Sequence, residues 1–314
     1  MTRRTKLWVL ATAVGLALAP AVLNAYWVDV LNSVGLYGLL ALSLNVILGD
    51  AGMYNMGHAA FYAVGAYTTA ILNTRFGVPI LWTLPLAGAA AGVFAALVAR
   101  PVIHLRGDYL LIVTVGVGEI LRIALVNDVF GLTGGPNGIF GIARPELFGW
   151  KIRKPHEFFY LIWAFVALTV FVFHRLQQSR VGRAWNYLRD DPVAAEGSGI
   201  PTSRYRLLAF VVGAAWAGMA GTLYASKMTI ISPQSFSFWE SVVVFMIVIL
   251  GGAGNMAGVL LGAFLIVGLP EAFRGLASAR MLVFGLVMMV MMVVRTQGLL
   301  PPRPRRFRLP DAAG

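Results

Sequence analysis

The sequence predicts an all-α, polytopic membrane helix bundle of about ten transmembrane segments with both termini cytoplasmic. Three observations carry that expectation. Runs of roughly 20 apolar residues recur from end to end, each long enough to cross a hydrocarbon layer about 30 Å thick as a helix. Hydrophobic residues make up 59% of the 314 and charged residues only 12%, about half the share in a soluble domain. The basic residues flank the apolar runs, as topology determinants do, so the formal charge of +12 argues for a membrane and against a nucleic-acid partner. Because the runs are continuous rather than alternating, a β-barrel is excluded. With no cysteine there is no disulfide, thiol nucleophile or thiolate metal site, and four scattered histidines make no metal cluster.

Taken in order, Arg3, Arg4 and Lys6 precede an apolar run from Leu7 to about Trp27. This is either a signal peptide, with Leu23-Asn24-Ala25 as a poor cleavage site, or an uncleaved first span; its length and the span that follows favour the second. The second span is expected at about Val30–Leu48. Three glycines in Gly49–Gly57 then break the pattern, and a third span resumes at His58 and runs to about Leu72. The fourth, about Val78–Ala99, carries small residues every four positions (Ala87, Ala91, Ala95, Ala99), a face another helix can approach closely. A short basic loop, Arg100–Arg106, leads to the fifth span, Asp108–Asn127. A polar segment, Asp128–Glu157, precedes the sixth, about Phe158–Phe173.

Residues 176–205 form a charged stretch in the middle of an otherwise apolar chain. Within it, Asp191 to Glu196 reads as a short helix, with Asp191 as N-cap, Pro192 in the first turn and Gly197 and Gly199 as stops. It is either a solvated loop or a small-faced helix built to dock on another protein. The seventh span, about Arg206–Ala225, repeats the small-residue device. Spans eight and nine, about Phe238–Leu250 and Ala257–Leu269, are short and joined by Gly251–Met256, which points to tilted or broken helices. A tenth span at Met281–Val294 and a basic tail over 301–314 complete one transmembrane domain over 1–300. Counted for an internal N-terminus, inner segments hold sixteen Lys and Arg and outer ones eight, with Arg122 inside a span. That excess places 176–205 in the cytoplasm.

Few groups could carry chemistry. Glu119 and Arg122 share a face of span five. Two charges at mid-bilayer cost about 5–7 kcal/mol, while the span's eleven Leu, Ile and Val return only about 3–6 kcal/mol. Their face must therefore point into the bundle or a wet cavity, as a structural ion pair or as lining of a substrate path. Asn45, Asn55 and His58 flank the glycine break, which is either an ordinary turn with a hydrogen-bonded histidine or the edge of a cavity. The runs Gly134-Gly135-Pro136-Asn137-Gly138 and Gly251-Gly252-Ala253-Gly254 do not fit G-x-x-x-x-G-K-[ST] and read as turns. No catalytic constellation and no metal site is evident.

Four blocks in order, GDAGMYNMGHAAFYAVGAY (49–67), LRGDYLLIVTVGVGEIL (105–121), TGGPNGI (133–139) and GRAWNYLRDDPVAAEGSG (182–199), make the chain similar to the LivM-type permeases of bacterial ABC importers for branched-chain amino acids. The resemblance runs from about Leu31 to Leu300. It implies a multi-pass inner-membrane pore that binds no cofactor, paired with a LivH-like permease subunit, driven by two cytoplasmic ABC ATPase subunits that bind the ATP, and fed by a periplasmic amino-acid-binding protein. By position, Asp190, Asp191, Ala194, Ala195, Glu196 and Gly199, with Pro192 among them, match the family's ATPase-coupling segment, which favours the docking reading. The path residues Asn45, Asn55, His58, Glu119 and Arg122 have no such counterpart. A urea or amide importer permease shares the family. A self-sufficient secondary transporter or channel would need buried coupling carboxylates, for which only Glu119 looks well placed. A membrane-embedded enzyme lacks its constellation.

Overall fold

The structure, a computed structural model, describes residues 20–272 except 106, 130 and 148, and beyond them only 285, 289, 295 and 298–301. The run before residue 20, most of the tenth span and the tail arginines therefore lie outside the described residues. In chain order the helices are α1 (Ala25–Asn45), α2 (His58–Phe76), α3 (Ile80–Val102), α4 (Asp108–Val126), α5 (Pro155–Gln178), α6 (Arg180–Asp190), α7 (Pro192–Gly197), α8 (Thr202–Met228), α9 (Phe238–Gly251), α10 (Met256–Ala263) and α11 (Leu269–Ala272). Four short strands are β1 (Ile139–Phe140), β2 (Glu146–Leu147), β3 (Trp150–Lys151) and β4 (Ile230–Ile231). Among the described residues six helices are long and apolar enough to cross a membrane: α1, α3, α4, α5, α8 and α9 with its leading 3-10 turn.

α2, α5 and α8 outrun the spans expected from hydropathy, continuing through polar turns at their ends. At the start of α5, Glu157 accepts from the backbone N–H groups of Arg153 (2.6 Å) and Lys154 (2.9 Å), two donors the helix itself leaves unmet. Of the two short spans, the eighth is an unbroken helix that reaches membrane length with its leading turn, and the ninth is irregular. α9 has 14 residues, and α10 passes through a π-turn, Phe264–Gly268, into α11.

The bundle is built around α1. Beyond its first turns its sequence is largely apolar or small, so it can be enclosed there, and 83% of its membrane-length window is buried. Against it pack α5, α8, α9 and α10, and α8 in turn packs on α2 and α3, joined by the small residues seen in the sequence. Ala87, Ala91, Ala95 and Ala99 are all at most 1% exposed. A β-carbon on Gly218 would lie 2.6 Å from that of Ala91. Across the α2–α8 seam the Thr69 and Thr222 hydroxyls hydrogen-bond at 2.7 Å. Such close approach, with hydroxyls bonded across the seam, replaces the hydrophobic driving force that lipid cannot supply.

By contrast α4 stands at the margin, with only 11% of its window buried. Exposed rings collect near helix ends (Trp82 on α3, Tyr109 on α4, Trp239 on α9), where interfacial aromatics belong. At the end opposite α7, β1 pairs antiparallel with β4 (Ile139 with Ile231, Phe140 with Ile230). The turn Gly135–Asn137 lies beside Pro233–Phe236 there, so the TGGPNG motif is part of a cover over that end of the bundle.

Candidate functional site

The charged stretch folds as two helices. α6 begins on Ser179, whose side chain accepts from Gly182 N–H, and its inner face inserts Trp185 completely. The Trp185 indole N–H donates to the Tyr205 carbonyl at 2.8 Å, fixing α6 to the start of α8. The chain then turns at Asp191, whose carboxylate accepts from Val193 N–H (2.9 Å) and Ala194 N–H (3.1 Å), starting α7 as the Asp-Pro pair predicts. Gly199, at a φ of 79°, closes it. Of the residues matched to the coupling segment, Ala195 is buried against the bundle, while Asp190, Asp191, Ala194, Glu196 and Gly199 face outward and Pro192 is half-buried. Val193, which the sequence did not single out, is 65% exposed at the centre of the outward face.

Behind this pair lies the glycine break. α1 widens into a π-turn over Val46–Asp50, and an extended segment leads from Asp50 back into the bundle, where α2 starts at His58. Irregular backbone at such depth needs partners from the protein, and it has them. Met53 N–H donates to Ile47 carbonyl, Met56 N–H to Thr114 Oγ1, Gly57 N–H to Asn55 Oδ1 and Ala59 N–H to Ser241 Oγ. His58 is 1% exposed, with Nε2 2.7 Å from Ser43 Oγ and Nδ1 3.4 Å from Asn55 Nδ2. Asn45 reaches the second glycine break, accepting from Gly254 N–H at 2.8 Å. Asn55 and His58 are thus held together in a buried, hydrogen-bonded break, while Asn45, equally buried, is bonded to the second break instead.

The break is also fastened to the helix pair. Arg189 Nη1 on α6 donates to the Gly49 carbonyl at 3.0 Å, and buried Asp50 accepts from Gln177 at the end of α5. These bonds join α6 and α5 to the π-turn at the end of α1.

Glu119 and Arg122 form a bidentate ion pair one turn apart on α4. Their side chains stay 41% and 28% exposed, so this face lies on the outside of the chain, apart from the buried junction. Sequence reasoning also took Glu119 as the one well-placed carboxylate. The structure buries Asp50 more deeply and sets Glu240, in the first turn of α9, beside Tyr37 and near Tyr62. Neither was legible, because each sits at the edge of an apolar run and its neighbours come from distant helices.

A bundle of membrane-length helices, with an outward capped helix tied to a hydrogen-bonded break and no cluster of metal-ligating side chains among the described residues, defines a membrane transport component. The chain belongs to the branched-chain amino acid transport system / permease component family, whose model matches residues 26–294. It is 39% identical to the high-affinity branched-chain amino acid transport system permease protein LivM of Escherichia coli K12, over 99% of this chain and 79% of that one. With the LivM protein of Salmonella typhimurium identity is 40%, over 98% of this chain and 78% of the relative. The LivH permease protein of Escherichia coli K12 is 29% identical over 83% of this chain and 90% of its own length. No solved structure matches.

Proposed function

We propose that the chain is the translocating permease subunit of an ATP-driven importer of branched-chain amino acids in the cytoplasmic membrane. The observation that carries this is the family match, which spans the bundle and the α6–α7 pair together. The relatives named above are branched-chain amino acid permeases, which favours that substrate class over the urea or amide alternative. Ten crossings with both termini inside remain the topology that the sixteen-to-eight basic excess supports.

A second permease of LivH type is the partner that α4 calls for. A membrane helix left 11% buried, carrying Glu119 and Arg122, is costly against lipid and is covered by a sister subunit or the path between them. Likeness to both LivM and LivH proteins fits a pair of related halves. α7 is the place where a cytoplasmic ATPase grips, since it is short, capped and turned outward, with Val193 as its apolar anchor. Two ATPases would bind the ATP, and a periplasmic receptor would supply leucine, isoleucine or valine at the opposite end.

The mechanism is alternating access. Closure of the ATPase dimer displaces α7, α6 follows through the Asp191 junction, whose N–H donates to the Tyr187 carbonyl, and Arg189 carries the movement to Gly49. Because Asn45 ties that point to Gly254, both breaks respond together. The requirement is that the ATP-bound dimer grips α7 differently in the two states of the bundle. The test is Val193→Asp in the assembled transporter. Receptor-dependent leucine uptake should fall by about tenfold, the loss of roughly 1.4 kcal/mol of docking energy, with insertion and pairing to the sister permease unchanged. Wild-type uptake would remove α7 from the coupling route.

A further inference from the structure

Glu240 is a carboxylate with an unusual setting. It lies in the first turn of α9, beneath the Pro233–Phe236 turn that covers the end of the bundle opposite α7. The Tyr37 hydroxyl on α1 is within hydrogen-bonding reach of it, and Tyr62 is close enough to feel its charge. Tyr62 belongs to a ring cluster with Tyr224 and Phe236. Tyr62 and Tyr224 have centroids 5.3 Å apart, and Phe236 packs on them at 5.1 and 6.0 Å.

Among the described residues no lysine, arginine or histidine is paired with Glu240. The start of α9 supplies about half a positive charge at most, so a full negative charge here is left under-compensated in a region where charge is expensive. The cluster is also reachable. Glu240, Tyr37 and Tyr224 are only partly buried. Asp29, Ser33 and Tyr37 recur every fourth residue on one face of α1, each of them at least partly exposed. At the head of that stripe Lys227, one turn beyond Tyr224, pairs with Asp29 at 2.8 Å. A polar descent thus leads from the rim of the bundle to the carboxylate.

We infer that Glu240, with Tyr37, Tyr62 and Tyr224, is a binding station for the ammonium group of the transported amino acid. A carboxylate gives the ammonium its counter-charge, the Tyr37 hydroxyl holds that carboxylate in place, and aromatic faces attract a cation from the side. The station deepens the importer reading and rests on it. It recognises the feature that leucine, isoleucine and valine share, leaving their side chains to be selected elsewhere.

The experiment is leucine uptake by the full transporter in liposomes, with labelled leucine on its receptor. Glu240→Gln keeps shape and hydrogen bonding but removes the charge; the initial rate should fall at least about tenfold, and Glu240→Asp should recover part of it, with both variants assembling normally. A purely structural carboxyl, neutral and hydrogen-bonded, predicts an unchanged rate for Glu240→Gln, and that result would overturn the station. If Glu240→Gln fails to assemble, Tyr37→Phe decides: reduced uptake in an intact complex supports the site, and wild-type uptake assigns the cluster to folding. Should the wild-type complex import no branched-chain amino acid at all, the importer reading itself fails and this inference goes with it; a normal wild type with an indifferent Glu240→Gln sinks the station alone.

Discussion

At the scale of single residues, the close helix approaches set the tolerance of the fold. Gly65 on α2 lies directly against the Gly218 backbone on α8, while Gly218 meets Ala87 and Ala91 on α3. One helix is thus wedged between two others with no room for a side chain. Gly218→Leu should lower stability by about 1–3 kcal/mol or more through overpacking, read as a lower melting temperature of the detergent-solubilised protein. Gly116, with open space around it on α4, is the control that should accept Ala with little change. The outer loop offers a second residue-scale test. Asp128, at a φ of 47°, accepts from both the Thr133 N–H (2.7 Å) and its hydroxyl (2.9 Å), which holds its carboxyl below the usual range. Since the folded pKa is the lower one, the stabilisation is complete above the ordinary carboxylate pKa near 4 and disappears as pH falls through the folded value. The protection of the Thr133 and Gly134 amides, measured against their intrinsic exchange rates at each pH, should therefore fall in acid in the wild type and be low already at neutral pH in Asp128→Ala.

At the scale of elements, the connection from α7 to the breaks is a chain of named bonds rather than a general tilt of spans. Asp191→Ala removes the cap of a six-residue helix at a cost of about 1 kcal/mol, a large share of what so short an element has. Uptake should fall while ATPase binding weakens in parallel. Arg189→Gln should instead leave ATPase binding intact and lower uptake, because the grip remains and the link to Gly49 is lost; equal ATPase binding with unimpaired uptake would remove Arg189 from the route. These elements also show what a sequence reveals. α7 was readable because Asp191, Pro192 and Gly199 mark it locally. α6 was not, since its one buried face, with Trp185 and Leu188, is spread among arginines and its partner Tyr205 lies on α8. The glycine break was visible in Gly49–Gly57, yet its character was not. Ser241 and Thr114, which satisfy it, stand 182 and 58 residues away from their partners, and nothing local foretold that His58 would be sealed. Glu240 was hidden for the same reason, reading as the polar end of a span until Tyr37 is seen beside it and Tyr62 near it.

At the scale of the molecule, every functional assignment requires α7 and the β1–β4 cover to face opposite compartments. The structure puts them at opposite ends of helices long enough to span a bilayer, with α8 alone covering 27 residues, about 40 Å at 1.5 Å per residue. The absence of cysteine makes the sidedness directly measurable, since any introduced thiol is the only one in the chain. Val193→Cys on α7 and Trp150→Cys on β3 are 65% and 70% exposed, so both accept a bulky reagent with little disturbance of the core. In sealed right-side-out vesicles a membrane-impermeant maleimide should label Trp150→Cys at once and Val193→Cys only after the membrane is opened; inverted vesicles should reverse the order. Labelling of Val193→Cys from outside would turn the bundle over. The helix meant for the ATPase would then meet the receptor, and the Glu240 cluster would face the compartment that amino acids leave toward.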